Sequence, residues 1–241
     1  MALKLLSSVE SSILKIVLNL VAATTGGQIT RAKAFLKRFK SFAPNSELVV
    51  FKTAGAMPDI VSCFGIDVID VPIAGGPFRS FRRMLWENTK MVSLLLDMKG
   101  DVYLSFSHYL PIKKLIVPTV VAVSNLAPFS PDAFRLEGLY GRLRLFILRR
   151  TIISSALKAQ EVIALSSTCK NILVLNNVPL DKVKVIPNGV DVVLNKNKVD
   201  CELGNSTTPY ILAVSHFYRY KNFEQLLRAY AGLAKQMRKR Y

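Results

Sequence analysis

Val183-Lys184-Val185-Ile186-Pro187-Asn188-Gly189-Val190-Asp191 is the stretch on which the reading of this 241-residue chain turns. Val183, Val185 and Ile186 make a short apolar strand. Pro187 has no backbone N–H to give to a ladder and stops the pairing. Asn188-Gly189 then supplies a tight turn, because both residue types accept positive φ at little cost. By itself a strand that ends in Pro-Asn-Gly signals a turn and nothing more, so its meaning rests on what flanks it.

Downstream, a polar linker from Val192 to Thr208, holding Asn195, Lys196, Asn197 and Lys198, leads to a second motif. Tyr210-Ile211-Leu212-Ala213-Val214 reads as a buried strand, and Phe223 to Leu233 as an amphipathic helix. The loop between them carries His216, Arg219 and Lys221. In order and spacing the two motifs resemble the domain junction of the family 4 retaining glycosyltransferases of GT-B architecture. There a "VIPNGVD" turn precedes a strand, a loop with Arg and Lys, and a helix. The resemblance implies an acceptor-binding Rossmann-like lobe over 1–191, a linker over 192–208, and the opening of a donor-binding lobe over 209–241. It also implies that the loop's basic residues neutralise charge growing on the departing diphosphate of a nucleotide sugar. Lys221 aligns with the family lysine. His216 stands where the family has arginine, and Arg219, three residues on, is the substitute.

Upstream, strands and helices alternate. Ile13 to Ala23 reads as a buried strand, Thr24-Thr25-Gly26-Gly27-Gln28 as a glycine turn, and Ile29 to Phe42 as a helix. Strand, glycine turn and helix in that order open a Rossmann-like unit. The turn is not G-x-G-x-x-G, so neither a nicotinamide nor a flavin cofactor is expected. As residues, Gly26 and Gly27 fit a plain turn or a place where a ligand nears the backbone. The resemblance assigns Gly26 and Gly27 to the donor and Gln28 to the acceptor side of the cleft. In the helix, Phe35, Phe39 and Phe42 share one face, expected in the core, and Lys33, Lys37 and Lys40 share the other. The lysine stripe fits a solvated face. With the overall charge it also fits anionic lipid headgroups or diphosphate carriers.

Further strands are expected over Glu47–Thr53, Ile66–Val71, Asp101–Phe106, Thr119–Val123 and Glu161–Leu165, with helices over Phe78–Met98 and Tyr140–Leu157. Ser166-Ser167-Thr168 suits the cap of another helix beginning near Cys169. Trp86 reads as a packing residue. This alternation predicts an α/β fold, a parallel sheet with helices on both faces, followed by an incomplete second Rossmann-like domain.

In open α/β sheets ligands bind beyond the carboxyl ends of the strands. Ser107-His108-Tyr109 and Ser124-Asn125 stand at two such ends. His108 either faces the cleft or is structural, since sequence does not give its direction. The resembled family places a histidine at the position of Ser124. Ser124 and Asn125 can hydrogen-bond there but cannot act as a histidine would. With Gln28, Asn188 and Gly189 these residues complete the acceptor and cleft candidates.

Composition bounds the rest. The net charge is +17, the hydrophobic fraction 51% and the mean hydropathy +0.30. Parallel strands buried on both faces account for the apolar content. Lys4, Glu10 and Lys15 interrupt one apolar run and Pro118 and Pro128 another, so no transmembrane helix is expected. The charge predicts polyanionic partners. Basic residues are spread over helices without interleaved aromatics, which speaks against nucleic acid. Cys63, Cys169 and Cys201 show neither zinc nor disulfide spacing and suit a reducing cytoplasm.

The expected function is that of a retaining transferase moving a hexose from a nucleotide-diphosphate sugar to a lipid-linked or glycan acceptor, with no metal and no cofactor. The expected location is cytoplasmic and peripheral at the inner face of the cell membrane, held through basic helices. The family's E-x7-E pair is absent, because no two glutamates here have that spacing. The chain therefore reads as truncated, or as completed by a separate subunit carrying the donor lobe. The alternatives are a noncatalytic partner subunit of a split transferase and, less favoured, a basic nucleic-acid binder.

Overall fold

The computed structural model describes residues 13–24, 26–57, 66–76, 78–189, 211–215, 217 and 219–234. The N-terminal leader 1–12, the linker 192–208 and His216 lie outside the described residues. Two compact units divide the chain, one of residues 1–125 and 150–189 and one of residues 126–149 and 190–241.

The first unit contains a seven-stranded sheet. Its strands are β1 (Lys15–Asn19), β2 (Glu47–Thr53), β3 (Asp67–Val71), β4 (Val102–Ser105), β5 (Thr119–Val123), β6 (Glu161–Ala164) and β7 (Val183–Val185). They run in the order β3-β2-β1-β4-β5-β6-β7, and every neighbouring pair is parallel. Leu48, Val49, Val50 and Phe51 are all buried, as a strand covered on both faces requires. The register sets Val17 opposite Val49 on one side and Tyr103 on the other. The chain winds outward from β1 to β3, then returns to place β4 on the other side of β1. That reversal makes the carboxyl ends of β1 and β4 the topological switch point, the place where open α/β sheets bind ligands.

The expected alternation is present. Helix α1 (Gly27–Phe42) follows β1, and its Ala32, Leu36 and Phe39 join Leu18, Leu20, Val50, Leu104 and Phe106 in one core cluster. Burying such a side chain contributes about 1.5–3 kcal/mol. Ser166 accepts from Cys169 N at 3.1 Å and caps the helix Ser167–Leu175 as its sequence suggests. Trp86 packs edge-on against Phe51 with ring centroids 5.3 Å apart. Gly100 precedes β4 where a Cβ would lie 2.7 Å from Val17 Cγ2, so the backbone can approach the core there only without a side chain.

Three expectations are corrected. Phe42 is 84% exposed rather than in the core, because the last turn of α1 runs past the edge of the sheet's apolar cluster. The helix expected over Phe78–Met98 is two, α2 (Arg79–Asn88) and α3 (Lys90–Asp97), broken at Thr89 with φ −119° and ψ −85°. Asn88 and Thr89 explain the break. Asn88 Nδ2 donates to Met84 O at 2.7 Å and Thr89 Oγ1 to Leu85 O at 2.7 Å, offering side-chain partners to the backbone. Asn88 Oδ1 also takes the Ile112 N–H, tying the junction to the loop after β4. Finally, 211–215 form no strand and are exposed. Ile211, Leu212 and Val214 cannot act as a buried strand without neighbours to pair with.

In the second unit, Ser130 caps the short helix α4 (Pro131–Leu136) by accepting from Ala133 N. Arg142 Nε, in the first turns of α5 (Leu139–Lys158), donates at 2.9 Å to both Phe134 O and Glu137 O and holds the corner between the helices. The 3-10 turn Arg219–Lys221 packs on α4 and leads into the helix Phe223–Ala231. No helix among the described residues is long and apolar enough to cross a membrane.

Candidate functional site

The carboxyl ends of β1, β4 and β5 bring three of the expected site residues together. Gln28 stands in the first turn of α1, entered through Gly26 at φ 60°, a backbone angle glycine adopts without strain. His108 follows β4 and also holds a positive φ, 61°. Its turn is pinned by Ser105 Oγ, which lies 2.8 Å from Ser107 Oγ and donates to Tyr109 O at 2.8 Å. A non-glycine residue kept in that conformation is over-determined by its surroundings, as residues at ligand sites often are.

The imidazole of His108 is buried. Its Nδ1 is 2.9 Å from Ala122 O and 3.2 Å from Ser124 N. One ring nitrogen cannot serve both a carbonyl and an N–H. The shorter contact assigns the proton to Nδ1, donating to Ala122 O, and leaves the Nε2 lone pair free to accept. Gln28 Nε2 and Ser124 Oγ each lie 3.4 Å from that Nε2. Burial pushes the His108 pKa down to about 4, with the charges of Arg31 and Arg83 adding to the shift against the bond to Ala122. The ring is therefore neutral at pH 7. Below it, Arg31 Nη2 donates to Phe106 O at 3.2 Å while its guanidinium lies 4.3 Å from the Phe106 ring centroid.

A second polar cluster, which the sequence reading did not single out, lies on the other side of β1. Glu87 is fully buried and accepts from Asn19 Nδ2 at 2.7 Å, and Asn19 also donates to the Tyr103 hydroxyl at 2.7 Å. Arg83 Nε stands 3.5 Å from Glu87 Oε2, an ion pair in which neither atom has a hydrogen bond. Burial raises the Glu87 pKa, opposed by Arg83 and by the bond from Asn19. Arg79 donates to Thr24 Oγ1 at 2.8 Å and to Thr53 Oγ1 at 3.3 Å. Val21, Ala22, Ile73, Arg79, Ser80 and Arg83 line a cavity of about 50 Å³. The available signal was the spacing Arg79, Arg83, Glu87, every fourth residue and hence one face of a helix.

The other candidates lie elsewhere. Gly27 begins α1, and a Cβ there would meet nothing within 4 Å. Asn125 follows Ser124 and is half-buried. Asn188 and Gly189 are exposed beyond β7, three strands from β4 and so roughly 14 Å across the sheet. Arg219 and Lys221 are exposed in the second unit, Lys221 Nζ lying 5.5 Å from the Tyr220 ring centroid. His216 is outside the described residues.

Residues 25–194 match the sequence profile described as Glycosyltransferase Family 4. The chain is similar to the crystal structure of a glycosyltransferase from Rickettsia africae ESF-5, with 18% identity and a TM-score of 0.50 over 74% of this chain and 44% of that one. It is also similar to a UDP-N-acetylglucosamine 2-epimerase, with 14% identity and a TM-score of 0.52 over 73% and 49% of the two chains. A third similar structure is the S. aureus MnaA-UDP co-structure, with 14% identity and a TM-score of 0.51 over 73% and 44%. At these identities the likeness is one of fold. The chain spans less than half the length of these solved structures. No curated protein sequence matches it.

Proposed function

The chain belongs to Glycosyltransferase Family 4, and from that premise we propose that it takes part in moving a hexose from a nucleotide-diphosphate sugar to a lipid-linked or glycan acceptor, with retention of configuration. The observation that carries this reading is the gathering of Gln28, His108 and Ser124 at the switch point of the sheet. A carboxamide and a hydroxyl offer both donors and acceptors to a sugar hydroxyl. His108 backs them as a neutral ring, too weak a base at its lowered pKa to hold a proton at neutral pH. It is a positioning residue, orienting Gln28 and Ser124 through its Nε2.

Donor contacts in this reading come from Gly26 and Gly27 in the first unit, and Arg219 and Lys221 in the second unit are the basic side chains suited to offset charge on a leaving diphosphate. Acceptor contacts come from Gln28, Ser124 and Asn125. The exposed lysines Lys33, Lys37 and Lys40 of α1 are assigned to an anionic inner membrane face.

The test is transfer of labelled hexose from a panel of nucleotide sugars to polyprenyl-phosphate-linked and free glycan acceptors, with the anomer of the product read by NMR. Transfer with retention is expected once a subunit carrying the donor lobe is supplied, and Gln28→Ala then lowers kcat/KM by about tenfold, the worth of one uncharged hydrogen bond. An inverted anomer, or no turnover with any nucleotide sugar even with a donor-lobe subunit present, sinks the reading.

A further inference from the structure

We propose that the cavity beside Arg79 and Arg83 is a phosphate subsite, which takes the phosphate group of a phosphorylated acceptor. Phe78 (preceding the first turn of α2), Phe81 and Leu85 are 67%, 60% and 55% exposed, while Arg79, Arg83 and Glu87 share the sheet-facing side with Trp86. A helix packed for stability alone does the reverse, burying the apolar side and solvating the charges. Turning two guanidinium groups inward costs desolvation that only a bound anion or a complete set of partners offsets.

The partners present do not complete the set. A guanidinium carries five N–H donors. Arg79 gives two hydrogen bonds, to Thr24 and Thr53. Among the described residues Arg83 Nε has none and stands 3.5 Å from Glu87 Oε2, itself without a hydrogen bond. The cavity lies on the route between these two side chains and the backbone at Val21 and Ala22. Its volume of about 50 Å³ leaves room for ordered water or a small oxyanion between the two guanidinium groups. Paired arginines suit phosphate because their planar forks match two oxygens at once. Thr24 and Thr53 hold Arg79 in place beforehand, which lowers the entropic cost of binding.

The proposal rests on the transferase reading only for the word acceptor, since phosphate binding needs neither donor nor turnover. The experiment is titration of the full chain with glycerol 3-phosphate, followed by calorimetry and by backbone amide shifts. Two vesicle arms identify the source. One uses phosphatidylcholine doped with phosphatidate, the other charge-matched vesicles doped with phosphatidylserine. Saturable binding that shifts the amides of Val21, Ala22 and Ser80 is expected. Arg79→Gln and Arg83→Gln should each weaken it about tenfold. Arg82→Gln removes the same charge from the exposed side of the helix and should leave binding within about twofold.

Preference for phosphatidate vesicles over free glycerol 3-phosphate assigns a lipid-linked phosphate, and the opposite preference a soluble one. An equal loss in Arg82→Gln, or shifts confined to residues away from β1 and α2, overturns the subsite in favour of general attraction to a basic protein. If Arg79→Gln fails to fold, the amide map of the unaltered chain and Arg83→Gln decide. Arginine-dependent phosphate binding without any sugar transfer would keep the subsite and defeat the transferase reading. Transfer unaffected by both substitutions would do the opposite.

Discussion

Two polar clusters flank β1, and they solve the same burial problem differently. On the α1 side, His108 gives up its charge: its ring is neutral and its two nitrogens divide the work of donor and acceptor. On the α2 side, Arg83 and Glu87 share an ion pair over 3.5 Å, with Asn19 supplying the one hydrogen bond to the carboxylate. The first arrangement leaves a lone pair directed at Gln28 and Ser124. The second leaves positive charge poorly matched by its partner. The difference teaches that one sheet crest can offer a neutral face suited to hydroxyls beside a cationic face suited to an oxyanion.

Breaking the ion pair should have the largest effect. Glu87→Ala strands Arg83 against the sheet and removes the partner of Asn19, so urea unfolding should show a loss of about 3–5 kcal/mol. A loss below about 1 kcal/mol would mean that solvent already screens the pair.

The two clusters should also tilt stability against pH in opposite directions. For His108 the folded pKa lies near 4, against an ordinary value of 6.5. Between those values the unfolded chain binds a proton that the folded chain refuses, so stability rises with pH across that window. The contribution is about 3 kcal/mol, lost as pH falls from 6.5 toward 4. For Glu87 the folded pKa is raised from 4.5. Above 4.5 the folded chain keeps a proton that the unfolded chain releases, so this group's contribution falls as pH rises. Subtracting the pH–stability curve of His108→Asn from that of the parent chain should isolate the first slope, and Glu87→Gln the second. Slopes of the same sign would end the comparison.

Smaller effects sharpen it. Gly26→Ala forces a side chain into φ 60° at the entrance to α1 and should cost about 1–2 kcal/mol in thermal or urea unfolding. Gln28→Ala should change stability by no more than about 0.5 kcal/mol. A large destabilisation there would make Gln28 a structural clamp on His108 rather than a group facing a ligand.

Much of the sheet was legible because its strands are apolar throughout and its turns are marked. Glu47–Thr53 and Thr119–Val123 form strands over the very residues expected. The split of the 78–98 helix was hidden, since Asn88 and Thr89 are tolerated in helices until their side chains find local backbone partners. The exposure of Phe42 was hidden as well, because periodicity gives a face but not where the neighbouring cluster stops. The strand expected from Tyr210 failed for a related reason: an apolar run becomes a strand only beside another one.

What the residues settle by themselves is the alternation of strand and helix, the glycine turn after β1 and the family to which the chain belongs. The first two are local or periodic properties that hydrophobic spacing and turn residues carry, and the family rests on the motifs around Pro187 and Lys221 and on the profile match over residues 25–194. Tertiary structure alone decides that Gln28, His108 and Ser124 meet, although 80 residues separate the first two. It also decides that α2 turns Arg79 and Arg83 toward the sheet while Arg82 stays exposed. Contacts across a parallel sheet depend on strand order, and strand order is set by how whole layers bury one another rather than by any single segment.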